Sequence, residues 1–316
     1  MKDRFNREIN YLRISLTDKC NLRCRYCMPE DGVQLLSHCE ILSENEFIDA
    51  ARAAAELGIH KIRITGGEPL VKKNLISICS KIKNVDGINE LCITTNGIRL
   101  KDYAKDLVAA GVSRINLSLD TLDNKKFEYI SRRPAPENLL EPLETALTAG
   151  FKKVKINTVL IGGFNDDEIP ALADLTRKYP VDVRFIELMP MYDSGDFGPD
   201  AFISGDTVLE VLDLIPLESD GSVARRYKLE GAKGEIGLIS AVTCSFCSSC
   251  NRIRLTADGK IKPCLHSDRE IPIKGLLKDE IKDAMIRAIL EKPACHPDLS
   301  YEHRSNSKRN MNKIGG

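Results

Sequence analysis

Between residues 11 and 187, six short apolar strands alternate with amphipathic helices, and this alternation restricts the fold more than any other feature of the chain. The strands are read at 11–16, 60–64, 90–94, 114–119, 153–159 and 181–187, and the helices at about 43–57, 73–83, 101–110, 137–149 and 167–178. Gly58, Gly111 and Gly150 stand where a helix must stop before the next strand begins. Such an order requires an α/β fold with a parallel sheet and right-handed crossovers. Periodicity does not choose between an open barrel and a doubly wound sheet. In either, ligands sit at the C-terminal ends of the strands.

The character changes after residue 190. Met191–Gly205 reads as a long loop, and short strands follow near 223–229, 235–240 and 252–256, with Asp258-Gly259 as a hairpin turn. A helix is expected over 275–291, and residues 292–316 are polar and aperiodic, as in a flexible tail. Lys+Arg and Asp+Glu both number 46, which argues against a bulk electrostatic role on nucleic acid or an anionic membrane. No apolar run approaches the roughly 18 residues of a membrane helix. The opening residues lack the apolar core of a secretory signal, so the cytoplasm is the expected compartment.

In that reducing compartment, eleven cysteines are many, and clustered thiols point to metal rather than disulfides. Cys20-Asn-Leu-Arg-Cys24-Arg-Tyr-Cys27 directly follows the first strand. Three thiolates can hold three irons of a cubane and leave the fourth open to a small molecule. Zinc is the alternative, but it usually takes four ligands and this loop offers no fourth Cys or His. At these residues the chain resembles the radical S-adenosylmethionine (SAM) superfamily, whose defining motif is CxxxCxxC on the loop after the first barrel strand. The resemblance implies a partial (β/α)6 TIM-type barrel in which the amino and carboxylate groups of SAM chelate the open iron. It also implies SAM contacts from Tyr26, Gly67 in Thr65-Gly66-Gly67-Glu68-Pro69, Ser118 and Met189, with the glycines allowing close approach to the methionine moiety. On residues alone, the glycines are only a turn and Met189 is core.

Cys247-Ser-Ser-Cys250, followed by Cys264, forms a second triplet around Asn251-Arg252-Ile253-Arg254. A hairpin turning at Gly259 would return Cys264 beside the other two. A zinc ribbon is the alternative here, because Cys244 offers a fourth thiolate. The pattern resembles one branch of the superfamily, the GTP 3′,8-cyclases (molybdenum cofactor biosynthesis protein A). That resemblance implies a second [4Fe–4S] cluster on Cys247, Cys250 and Cys264 whose open iron binds guanine, with Cys244 as a bystander.

Arg13, Arg63, Lys155 and Arg184 each sit between apolar neighbours on a parallel strand, where an isolated charge is costly. Pairing with Glu68, Asp120 or Glu187 would explain any one of them; four on neighbouring strands favour an anion such as a triphosphate. The cyclase resemblance carries these four over as GTP contacts, together with Thr94, Arg252, Ile253 and Arg254. It implies a catalytic set of Cys20, Cys24, Cys27, Arg252 and Arg254, and a terminal Gly315-Gly316 that reaches the active site.

The domains are expected at 1–190 (barrel), 191–291 (second-cluster region of short antiparallel strands and a helix, closing the barrel) and 292–316 (tail). The implied reaction is cleavage of SAM to a 5′-deoxyadenosyl radical, which abstracts hydrogen from C3′ of GTP, followed by closure on C8 to 3′,8-cyclo-7,8-dihydro-GTP. The implied partners are a reduced flavodoxin or ferredoxin type donor and cyclic pyranopterin monophosphate synthase as the next enzyme, with a homodimer left open. Two alternatives stand beside this reading: a radical SAM peptide maturase with an auxiliary cluster, and a non-enzymatic iron–sulfur or zinc protein.

Overall fold

The computed structural model describes residues 1–191, 197–243 and 246–315; Cys244 and Gly316 lie outside the described residues. Six parallel strands form the centre of one sheet: β1 (Tyr11–Ser15), β2 (Lys61–Thr65), β3 (Glu90–Thr95), β4 (Arg114–Ser118), β5 (Lys153–Leu160) and β6 (Asp182–Glu187). They run in sequence order, as successive right-handed βα units do. Each carries Ile, Leu or Val that is buried against the helices, including Ile14, Ile62, Ile93, Ile115, Ile156 and Val183.

The outer layer consists of α1 (Glu44–Glu56), α2 (Leu75–Lys83), α3 (Leu100–Ala109), α4 (Asn124–Ser131), α5 (Glu141–Ala149) and α6 (Ile169–Lys178). Helix α1 begins in a capping box, in which Ser43 accepts from the Glu46 N–H and Glu46 accepts from the Ser43 N–H. Gly58, Gly111 and Gly150 have φ of 83°, 86° and 95°, the left-handed conformation expected at helix ends. Helix α4 escapes the sequence reading because only Ile130 and Ser131 of its eight residues are buried, too few to give an apolar period. Helix α5 starts later than expected, at Glu141, with Pro142 in its first turn.

The C-terminal region contributes α7 (Thr207–Val211), α8 (Lys278–Leu290), α9 (Met311–Ile314) and six strands: β7 (Leu214–Pro216), β8 (Arg225–Leu229), β9 (Ile236–Ile239), β10 (Arg252–Leu255), β11 (Lys260–Lys262) and β12 (Ile271–Pro272). They are not all antiparallel, as expected from sequence. Strand β10 adds parallel to β1 and β9 adds parallel to β6, and the antiparallel pairs hang outside these two. The sheet order is therefore β12-β11-β10-β1-β2-β3-β4-β5-β6-β9-β8-β7, with C-terminal strands on both flanks of the barrel strands. β10 thereby comes alongside the first cysteine strand.

Residues 292–315 are not a loose tail either. Lys292, Ser305, Ser307, Asn312 and Ile314 are buried. Arg309 is held by Asp258 at 2.8 Å and by Glu270 at 2.6 Å, and the Ser305 N–H donates to the Pro190 carbonyl at 2.9 Å. Polar contacts rather than apolar periodicity order this segment.

Candidate active site

The first triplet lies on the loop after β1, seated on the loop after β2. The Gly67 N–H donates to the Thr17 carbonyl at 2.6 Å and the Glu68 N–H to the Lys19 carbonyl at 2.8 Å. A Cβ on Gly67 would stand 2.3 Å from the Lys19 carbonyl oxygen. Here, then, the missing side chain serves contact with the cysteine loop, where the sequence reading gave it to the methionine moiety of a ligand. Glu68 accepts from the Leu70 and Asn96 N–H groups and from the Thr95 hydroxyl, and burial still raises it to about 7.

The three thiols lie within one another's field. Burial pushes Cys20 up to about 11 and, with repulsion from Cys20, Cys27 up to about 12; burial, Cys27 and Asp120 hold Cys24 well above its ordinary value. Donors are nonetheless directed at their sulfurs: the Leu22 N–H at Cys20 Sγ (3.4 Å) and the Asn312 N–H at Cys27. A neutral thiol is a weak acceptor, so these donors suit metal-bound thiolates. Tetrahedral zinc would need thiolates about 4 Å apart. Among the described residues, no group of three or more Cys, His, Asp or Glu is arranged to hold a single metal ion. Tyr26 donates to Asp120 at 2.7 Å, burial raises Asp120 to about 6, and Ser118 ends β4 beside Asn157 of β5.

Strand register gathers the arginines. Arg254, Arg13 and Arg63 are direct neighbours across β10, β1 and β2. Like charges placed opposite one another repel. Burial and the Arg254, Arg63 and Arg252 charges press Arg13 well below the ordinary arginine range; Arg184 and Arg254 fall to about 10. Among the described residues, no carboxylate lies within 4.0 Å of Arg63, Arg184, Arg252 or Arg254, and the buried Arg252 Nε has no partner. The carboxylates that could have neutralised them are engaged elsewhere: Glu68 and Asp120 as above, Glu187 with the N–H groups of Gly205, Val242 and Thr243. Lys155 differs, being paired with Asp182 at 2.9 Å. Arg63 donates to Thr94 Oγ1 at 3.3 Å, and Ile253 is fully buried in the core.

Tyr11, which the sequence reading passed over, belongs to this group. It faces Arg252 in register and accepts from Arg63 Nε. Burial raises its phenol, but Arg63, Arg13 and Arg252 outweigh that and bring it down to about 8. The signal was available: Tyr11 and Arg13 are two residues apart on one strand and so share a face. The tail arrives at the same place. The Gly315 carbonyl accepts from Arg13 at 3.0 Å and Arg254 at 2.8 Å. Asn312 Nδ2 donates to the Asp18 carbonyl at 2.9 Å beside the first triplet.

The second triplet lines a cavity with Met189, Phe246, Arg252, Arg254 and Lys292. Met189, expected at the SAM site, stands in the wall of this cavity. Burial raises the Cys250 thiol, but Lys292 and Arg252 outweigh this and lower it below its ordinary value. The first triplet follows β1 and the second brackets β10 and β11, and the row Arg254–Arg13–Arg63 lies on β10, β1 and β2.

Residues 14–176 match the family model described as the radical SAM superfamily, and residues 181–297 the model described as Molybdenum Cofactor Synthesis C. Curated relatives named GTP 3′,8-cyclase are similar over the whole length. That of Peptoclostridium acidaminophilum is 49% identical over 321 residues, covering 99% of this chain and 98% of the relative. That of Alkaliphilus oremlandii is 45% identical over 100% of both. The chain belongs to the GTP 3′,8-cyclase family of the radical SAM superfamily. Among solved structures, Streptococcus suis SuiB bound to S-adenosylmethionine matches with a TM-score of 0.60 at 16% identity, over 84% of this chain and 63% of that one. SuiB has also been solved bound to precursor peptide SuiA. At this identity the likeness speaks for the fold alone, so it lends the peptide-maturase alternative no weight against the full-length cyclase relatives.

Proposed function

We infer that this chain is a GTP 3′,8-cyclase, converting GTP to 3′,8-cyclo-7,8-dihydro-GTP in the first step of molybdenum cofactor biosynthesis. Its cofactors are SAM and two [4Fe–4S] clusters, which when bound supply the radical chemistry. The observation that carries the reading is the mutually repelling row Arg254–Arg13–Arg63, in which Arg63 and Arg254 are buried and without a carboxylate partner among the described residues. A triphosphate supplies the missing negative charge.

In this reading Cys20, Cys24 and Cys27 hold the first cluster, with Tyr26, Gly67, Ser118 and Met189 around SAM. Cys247, Cys250 and Cys264 hold the second cluster beside the guanine. Arg13, Arg63, Thr94, Lys155, Arg184 and residues 252–254 bind GTP, and Arg252 and Arg254 stand closest to the chemistry. The chain's own work is to hold C3′ and C8 in register and keep water away. The Gly315 carbonyl now takes hydrogen bonds from Arg13 and Arg254, so substrate phosphate and the tail compete for the same donors.

The three-part division at 190 and 291 belongs to the same reading, as do a cytoplasmic location, a flavodoxin or ferredoxin type donor and hand-over to cyclic pyranopterin monophosphate synthase; a homodimer stays open. No helix among the described residues is long and apolar enough to cross a membrane. The test is anaerobic turnover with GTP deuterated at C3′. Deuterium in 5′-deoxyadenosine from GTP, and from no other nucleoside triphosphate, is the expected result. Deoxyadenosine formed without nucleotide dependence would overturn the cyclase reading while leaving the superfamily intact.

A further inference from the structure

A buried ammonium must find acceptors for its N–H groups, so the groups around it are informative. Lys292 is only 3% exposed. Its Nζ donates to the Arg252 carbonyl at 2.9 Å and to the Pro263 carbonyl at 2.9 Å, and it reaches the sulfur of Cys250. These two carbonyls belong to the two segments that bring the second triplet together: Arg252 lies two residues after Cys250, and Pro263 immediately precedes Cys264. One side chain ties both halves of the ligand set.

The residues after Lys292 continue the same work. Arg7, buried and paired with Asp3 at 2.6 Å, donates to the carbonyls of Pro293 (2.6 Å), Ala294 (2.9 Å) and Cys247 (2.7 Å). His296 hydrogen-bonds Cys247 and meets the buried His266 edge-on at 5.0 Å. Residues 292–296 thus form a strap across the second triplet, anchored by the N-terminal segment.

We propose that Lys292 is the positioning residue of the second triplet: it sets the spacing between the Cys250 and Cys264 segments and places one positive charge against the cluster they hold. The proposal rests on the reading of that triplet as a cluster site. Removing the charge makes it harder to add an electron to that cluster, and removing the donors lets the two segments part.

The experiment uses the full chain, reconstituted anaerobically, as wild type, Lys292→Gln and Lys292→Met. Iron and sulfide per chain, redox-titrated EPR of each cluster and SAM binding are read together. Lys292→Met is expected to lose most of the second cluster while the first cluster and SAM binding stay at wild-type levels. Lys292→Gln, which keeps a donor but no charge, is expected to retain more of the cluster at a lower reduction potential, a shift that a purely structural residue would not produce. If the Met variant does not fold, the potential of the Gln variant decides alone. Full second-cluster occupancy with an unchanged potential in the variants that fold would overturn the proposal. A wild type that carries only the first cluster would instead overturn the reading of the triplet.

Discussion

The two cysteine triplets have the same number of thiols and opposite surroundings. Around the first, burial and the nearby Glu68 and Asp120 make negative charge unwelcome, and the thiols are raised to about 11 and 12 at Cys20 and Cys27. Around the second, Lys292 and Arg252 make it welcome, and Cys250 is lowered. Adding an electron to a cluster adds negative charge, so the first environment favours a strong reductant and the second an electron-accepting, anion-tolerant site. On the proposed reading, reductive cleavage at the first triplet and nucleotide binding at the second call for such a division. Ligand count alone does not reveal it.

The largest expected effects break the comparison outright. Cys24→Ala should abolish deoxyadenosine formation, because the first site loses its ligand. Cys264→Ala should leave SAM cleavage and remove the GTP-derived product. Chromatography of both products from both variants checks this, and equal loss of deoxyadenosine in the two would mean the sites are not separable.

A smaller effect concerns the arginines between the sites. Arg63→Ala or Arg254→Ala removes a charged hydrogen-bond donor from the row, worth about 1.5–3 kcal/mol where it meets phosphate. GTP affinity should therefore fall by roughly 10- to 100-fold. SAM affinity should not change. Lys155→Ala should cost less affinity than either, because Asp182 already neutralises that cation. Isothermal titration with GTP and SAM separates the cases.

How much of this was legible in the sequence depends on the range of the contact. The strands, the helix-ending glycines and both triplets are local patterns, and spacing alone was enough to find them. The strap was not legible, and the tail was placed at the site by the cyclase resemblance alone, its own residues reading as flexible. Arg7 meets Cys247 across 240 residues and Arg13 meets Gly315 across 302. A polar, aperiodic stretch such as 292–315 looks the same whether it is solvated or pinned by buried hydrogen bonds. The ion pair of Lys155 was missed for a related reason: its partner Asp182 sits at the start of the adjacent strand, outside the carboxylates weighed as neutralisers. The parallel addition of β10 to β1 was also hidden, since short C-terminal strands around a hairpin turn read as antiparallel.

The comparison can be sharpened at the first site. Asp120 accepts from Tyr26 and from the Val159 N–H, and burial keeps it near 6, so it is mostly ionised at neutral pH. Asp120→Asn removes one negative charge close to Cys24 and should raise the reduction potential of the first cluster only. Redox-titrated EPR reads it; an equal change at both clusters would mean the two environments are not independent.

The smallest effect is a titration. Tyr11 stands among Arg63, Arg13 and Arg252, and its phenol is at about 8 rather than 10. The folded-state value lies below the unfolded one, so the folded chain gives up the proton first. Its contribution to stability is complete above pH 10 and is lost as pH falls through 8, at most about 1.4 kcal/mol per pH unit over that window. Ultraviolet difference spectra of the native protein should show a single tyrosinate forming near pH 8, and Tyr11→Phe should remove it. Bound triphosphate neutralises the arginines that hold the phenol down, so GTP should move this step upward while SAM leaves it in place. A step that ignores GTP would mean the nucleotide's phosphates lie away from the arginine row, and the anion would have to be sought elsewhere in the barrel.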